Sequence, residues 1–255
     1  MANISSQLAK TGVKQLSYTE QGRDWLDSSP EFLDLVLQLQ NYKDPLAVEC
    51  AFKQQSAFIG EGRHSTVGEF GGIAIKLATS RTGEQGTKYG PASFENLVHQ
   101  FVFLSILDEY LSSRAGDTIQ VPKQYFAFKM SNGYYLRGEQ YLQNDWTLLS
   151  HRFATMDWTS GEQQTAADSI KQRIKDLVKS PLLRFGLNDL GLTSKSRLRT
   201  DNIFIDSSTD ALAEAKFCIV DQPSVNCELV GKLCIALASL PTLNGHHLRY
   251  VSSTI

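Results

Sequence analysis

The sequence predicts an α+β fold in two lobes, β-rich first and mostly helical after, and three observations carry that prediction. The stretch FIGEGRHSTVGEFGGIAIKLA at 58–78 sets β-favouring runs around a glycine bend. VPKQYFAFKM at 121–130 and GYYLRGEQYL at 133–142 are two further β-rich runs joined by an Asn-Gly turn. Beyond Asp145 apolar residues recur at helical spacing instead, and strands followed by helices is the order of an α+β chain.

Composition bounds the reading before any motif is considered. The 255-residue chain is 42% hydrophobic and 20% charged, with a formal net charge of −2. That length allows a sizeable core, and the near-neutral balance argues against a broad nucleic-acid or membrane surface. The cationic KSRLR at 195–199 is a local exception, expected as a solvated loop. The first thirty residues lack the apolar stretch of a secretory signal and no later run reaches a membrane span, so a cytoplasmic location is expected. Cys50, Cys218, Cys227 and Cys234 form no CxxC pair or Cys/His spacing, which predicts buried free thiols rather than a zinc site.

Residues 1–45 are expected to be an N-terminal helical extension. Residues 1–28 are polar and poorly periodic, and Ser29-Pro30 then opens a helix whose apolar face is Phe32, Leu33, Leu35, Val36 and Leu39. After a loop at 41–45, residues 46–144 make the β-rich lobe. Phe58 and Ile59 end one strand, residues 60–65 bend, and Thr66-Val67 begins the next. Glycine in that bend permits φ > 0 and clears side chains from the backbone N–H row. On the following strand Ile73, Ile75 and Leu77 face one side and Ala74, Lys76 and Ala78 the other, bringing Lys76 beneath the bend. A lysine under exposed amides outlines an anion site.

TSRTGEQGTKYGP at 79–91 is a loop by composition. Residues 93–113 form the clearest long helix, with Phe94, Leu97, Val98, Phe101, Leu104 and Leu107 on one face and Glu95 near its start, nineteen residues after Lys76. The hairpin at 121–142 closes this lobe. Residues 145–255 make the second lobe, with a helix at 161–180 carrying Ile170, Ile174, Leu177 and Val178, and a helical candidate at 228–239 before Pro241.

The stretch at 58–78 resembles the glycine-rich loop and lysine strand of protein kinases, written GxGxxGxV and VAIK in that family. Here they read Gly60, Gly62, Ser65 in place of the third glycine, and Val67, followed by Ala74-Ile75-Lys76. Glu95 stands at the interval of the kinase helix-C glutamate that pairs with the lysine. LRGEQYL resembles the segment whose backbone meets adenine, so the resemblance places Glu139 and Tyr141 along the base edge. Further on, Phe185-Gly186-Leu187-Asn188-Asp189-Leu190, Asn202-Ile203-Phe204-Ile205-Asp206 and Phe217-Cys218-Ile219-Val220-Asp221 follow the order of the kinase catalytic segment.

The resemblance implies a two-lobed protein kinase-like fold with a small C-lobe, and ATP and Mg2+ as cofactors. In it Lys76 and Glu95 position phosphates, Asp189 accepts the proton of the incoming hydroxyl, and Asn202 and Asp221 hold Mg2+. These residue types suit the chemistry: a base must face the hydroxyl, and Mg2+ takes oxygen ligands between phosphates. Departures stand beside the match. Asn188 replaces the basic residue before the catalytic Asp, and Gln222-Pro223 replaces Phe-Gly after the metal Asp. Asp189 and Asn202 are thirteen residues apart, with KSRLR inside the loop, which leaves Asp201 as a second-register alternative. Asp206 and Asp210 are expected as turn carboxylates. No APE motif follows, and the resemblance covers roughly residues 56–224.

The implied function is a divergent, minimal serine/threonine protein kinase acting on a protein substrate of unknown identity. The alternative is a pseudokinase that binds nucleotide or a partner protein without efficient transfer. A small-molecule kinase of the aminoglycoside or choline type shares the polar motifs but usually carries a larger C-lobe.

Overall fold

The computed structural model describes residues 7–8, 10–13, 15–61, 65–78, 94–113, 118–143, 145–180, 183–184, 187, 190–192, 196–208, 212, 215–220 and 248–249. Its chain is α+β, sheet-rich in the N-terminal region with helices after. Residues 1–102, 124–141 and 235–255 form one unit, and residues 103–123 and 142–234 a second.

The first unit opens with β1 (Gln15–Thr19) and α1 (Glu20–Ser28). Thr19 ends the strand and caps the helix, accepting the Gly22 N–H at 3.0 Å and donating to the Gln124 carbonyl at 2.9 Å. Next come α2 (Pro30–Gln40) and α3 (Pro45–Gln55). Pro30 fixes the first turn of α2 as expected, although Ser29 makes no side-chain cap bond. Asp44 does cap α3, accepting the Ala47 N–H at 2.9 Å. The strand at 15–19 departs from the helical extension expected over 1–45, and neither the helix at 20–28 nor that at 45–55 is delimited by the sequence pattern. Five residues of strand give little periodicity, and the buried stripe of α3 is Val48, Ala51 and Phe52 interrupted by the buried carboxylate Glu49.

The strands follow: β2 (Ala57–Glu61), β3 (Ser65–Phe70) and β4 (Ile73–Ala78). After α4 (Phe94–Ser112) and β5 (Ile119–Gln120) come β6 (Gln124–Lys129) and β7 (Tyr135–Gln140). The remaining elements are β8 (Trp146–Leu148), α5 (Leu149–Thr155), α6 (Ser160–Leu177), β9 (Ile203–Asp206), β10 (Phe217–Ile219) and β11 (Leu248–Arg249).

Among the described residues, seven strands of the first unit pair in the order β11-β1-β6-β7-β4-β3-β2, all antiparallel. Period-two alternation sends Ile73, Ile75 and Leu77 into a core shared with Phe32, Phe52, Phe126 and Phe128. The rings of Trp25, Phe32 and Phe126 meet with centroids 5.1 to 5.6 Å apart, and Trp25 Nε1 donates to the Gly71 carbonyl at 2.9 Å. Helix α1 lies so close to β6 that a Cβ on Gly22 would sit 1.7 Å from the Tyr125 carbonyl oxygen. The expected β6–β7 hairpin forms with Gly133 at φ +94°, and Asn132 Nδ2 donates to the Leu39 and Tyr42 carbonyls, both at 2.9 Å, closing the end of α2.

In the second unit the described strands run β5-β10-β9-β8, with β5 and β10 parallel. Thr159 and Glu162 form a capping box that starts α6, and the Arg184 guanidinium donates to the Val178 and Lys175 carbonyls at 2.6 and 2.8 Å at its end. A second lobe expected to be mostly helical therefore carries a sheet as well, because the β-rich runs IFID and FCI find each other as β9 and β10. Among the described residues no helix is long and apolar enough to cross a membrane. The segment at 79–91 and the helical candidate at 228–239 lie outside the described residues.

Candidate functional site

The site in the first unit is set by strand register. Gly60 pairs with Val67 across β2 and β3, with a register shift between Phe58 and Gly60, and Val67 in turn stands opposite Lys76 on β4. Lys76 thus lies one strand beside the hairpin arm that Ser65 begins. A Cβ on Gly60 would meet no atom within 4 Å, so that glycine borders open space. Gly62 lies outside the described residues. Because Ile75 and Leu77 point into the core, Lys76 and buried Ala74 occupy the other face.

On that face three charged side chains meet. Lys76 stands opposite Arg137, and Ala74 opposite Glu139, in the β4–β7 ladder. Lys76 Nζ donates to Glu139 Oε1 at 2.7 Å, and Arg137 Nη2 donates to Glu139 Oε2 at 2.9 Å. Arg137 Nη1 reaches Gln100 Oε1 of α4 at 3.1 Å. The side chain of Lys76 is 18% exposed, that of Glu139 only 5%. Burial pushes the Glu139 carboxyl up, but Lys76 and Arg137, with hydrogen bonds from Lys76 and Gln124, outweigh burial and hold it below the ordinary range.

Glu139, expected to offer its backbone to a base edge, instead lies inside β7 between β4 and β6, and its carboxylate holds the lysine. Tyr141 follows the end of that strand, half-buried. Glu95 lies on α4, where its side chain is outside the described residues. Arg137 and Gln100 were not anticipated. Two charged residues alternating with apolar and glycine positions in LRGEQ are the available signal, since period two puts both on one face.

In the second unit Asn202 is buried at the end of a short 3-10 turn (Thr200–Asn202) that leads into β9. Its carbonyl accepts the Val220 N–H at 3.1 Å, and Ile203 pairs with Ile219. The ladder therefore sets Asn202 against the residue that precedes Asp221 in sequence. Asp189 and Asp221 themselves lie outside the described residues. Asp201 is exposed and accepts from Nε and Nη2 of Arg199, each at 3.1 Å, and that hydrogen bonding holds its carboxyl below the ordinary range. Asp206 accepts the Ser208 N–H at 2.8 Å in a turn.

The KSRLR segment is more embedded than a solvated loop. The Ser196 carbonyl accepts buried Lys171 Nζ of α6 at 2.6 Å, Leu198 is buried, and Arg199 N–H donates to the Leu190 carbonyl at 3.0 Å. Gly191, at φ +75°, permits the fold-back: a Cβ there would lie 1.8 Å from the Arg197 carbonyl oxygen. Leu198 anchors the segment while Arg197 and Arg199 stay exposed. Of the thiols, Cys218 is buried as expected and Cys50 is exposed, contrary to expectation: it lies on the side of α3 away from Val48, Ala51 and Phe52. Cys227 and Cys234 lie outside the described residues.

The chain matches no known family model, no curated protein and no solved structure in comparisons with each.

Proposed function

We propose that the chain is an ATP- and Mg2+-dependent phosphotransferase with a protein kinase-like fold, transferring the γ-phosphoryl group to a serine or threonine hydroxyl of a protein. The observation that carries this reading is Lys76: a partly exposed ammonium on β4, one strand from the glycine-bearing β2–β3 hairpin and fixed by a buried carboxylate. In this reading Lys76 takes α- and β-phosphate oxygens under the hairpin amides, and Asn202 with Asp221 holds Mg2+. The acceptor oxygen bonds to the γ-phosphorus as the bond to the bridging oxygen breaks; Asp189 takes the hydroxyl proton and ADP leaves. The bond from the Val220 N–H to the Asn202 carbonyl supports the metal assignment, because it brings the Asn202 backbone beside the residue that precedes Asp221 in sequence. The Arg199 pair of Asp201 speaks against Asp201 as the base.

The test is transfer from γ-labelled ATP in Mg2+, to the protein itself and to a generic acceptor, beside Lys76→Ala, Asn202→Ala and Asp221→Ala. Transfer that all three changes abolish supports the enzyme. A pseudokinase is the second reading, favoured by Asn188 and Gln222-Pro223 at positions that flank the reacting groups in active relatives of the fold. Mg2+-dependent ATP binding with no transfer selects it, and absence of nucleotide binding overturns both.

A further inference from the structure

We infer that Glu139 is the positioning residue for Lys76, holding its ammonium where nucleotide phosphates meet it; the inference rests on the nucleotide-binding reading above. It begins from a conflict in the sheet. The β4–β7 register sets Lys76 directly opposite Arg137, and like charges opposed across an antiparallel pair repel. Glu139, two residues along β7, resolves the conflict by dividing its oxygens, Oε1 to Lys76 at 2.7 Å and Oε2 to Arg137 at 2.9 Å. Ala74, directly opposite Glu139, presents only a methyl group, so the diagonal path to Lys76 is not crossed by a larger side chain.

The clamp has a direction. Arg137 and Glu139 are 3% and 5% exposed, whereas Lys76 is 18% exposed. The planar guanidinium, tied to Gln100 as well, fixes the carboxylate, and the carboxylate fixes the flexible lysine. Rotamer freedom of the four-carbon stem is then lost before a ligand arrives rather than on binding. Because Lys76 and Glu139 lie on neighbouring strands of one sheet, this restraint does not depend on where the helix bearing Glu95 stands.

The experiment compares wild type, Glu139→Gln and Glu139→Asp. Labelling of Lys76 in the nucleotide-free protein by trinitrobenzenesulfonate is followed by peptide mass, alongside equilibrium binding of Mg-ATP and of adenosine. In Glu139→Gln, Lys76 labelling accelerates several-fold and Mg-ATP affinity falls about tenfold while adenosine affinity holds. Glu139→Asp, which keeps the charge on a shorter stem, falls between, and keeps the test available should the glutamine variant not fold. Unchanged labelling in both Glu139 variants overturns the inference, as does equal weakening of ATP and adenosine, the mark of a purely structural role. If wild type takes up no Mg-ATP, the nucleotide reading fails separately, and the labelling rates still decide whether Glu139 fixes the amine.

Discussion

At the scale of single residues, Glu139 contributes to the acid response of the first unit. Its carboxyl is held below the ordinary range in the folded chain, so on acidification the unfolded chain takes up the proton first. Its contribution is complete above the ordinary glutamate value of about 4.3 and is lost as pH falls through the lower folded value. Glu139→Gln is therefore expected to flatten the fall of Tm with pH in that acid window; an unchanged slope would contradict the assignment. At neutral pH the same change takes the shared carboxylate from two cations, one of them Arg137 at 3% exposure, and should cost about 3–5 kcal/mol in urea unfolding. Replacing Arg137 with Met as well should recover part of that loss, since the pair is then removed rather than broken.

At the scale of elements, caps and close approaches decide where helices sit. Thr19 serves two partners at once, the Gly22 N–H and the Gln124 carbonyl, so Thr19→Ala should cost about 1–2 kcal/mol, measurable by thermal unfolding. Gly22→Ala should be worse than any helix-propensity gain suggests, because the new methyl group meets backbone at 1.7 Å and α1 must lift from β6. A variant as stable as wild type would show that this approach is not as drawn. The β4 strand, the β6–β7 hairpin and helices α2, α4 and α6 were legible because their apolar residues recur at 2.0 or 3.6 over many positions. The strand at 15–19 was not, since Leu16 and Tyr18 gain meaning only from β6, more than a hundred residues away.

At the scale of the whole chain, the boundary drawn at residue 46 from sequence cuts through structure that belongs together. Helices α1 and α2 and strand β1 lie before it, yet Leu26, Phe32, Leu35, Val36 and Leu39 share one core with Ile75, Phe126 and Phe128. A chain beginning at residue 46 is expected to lose cooperative unfolding in circular dichroism and to expose those rings, whereas the full chain melts cooperatively. Of the candidate site, Lys76 was readable from a motif and Asn202 from an order of motifs. That Glu139 meets Lys76 was not legible, because a linear pattern cannot show which face of a neighbouring strand a carboxylate occupies.

The pairing of Ser17 with Ala127 joins a strand to one made more than a hundred residues later. Until that later strand emerges, its edge has no native template, and the aromatic side chains of α1 and α2 wait without a lid. Chaperone dependence during synthesis, greatest between the making of β1 and the making of β6, is the physiological trace this sheet order should leave.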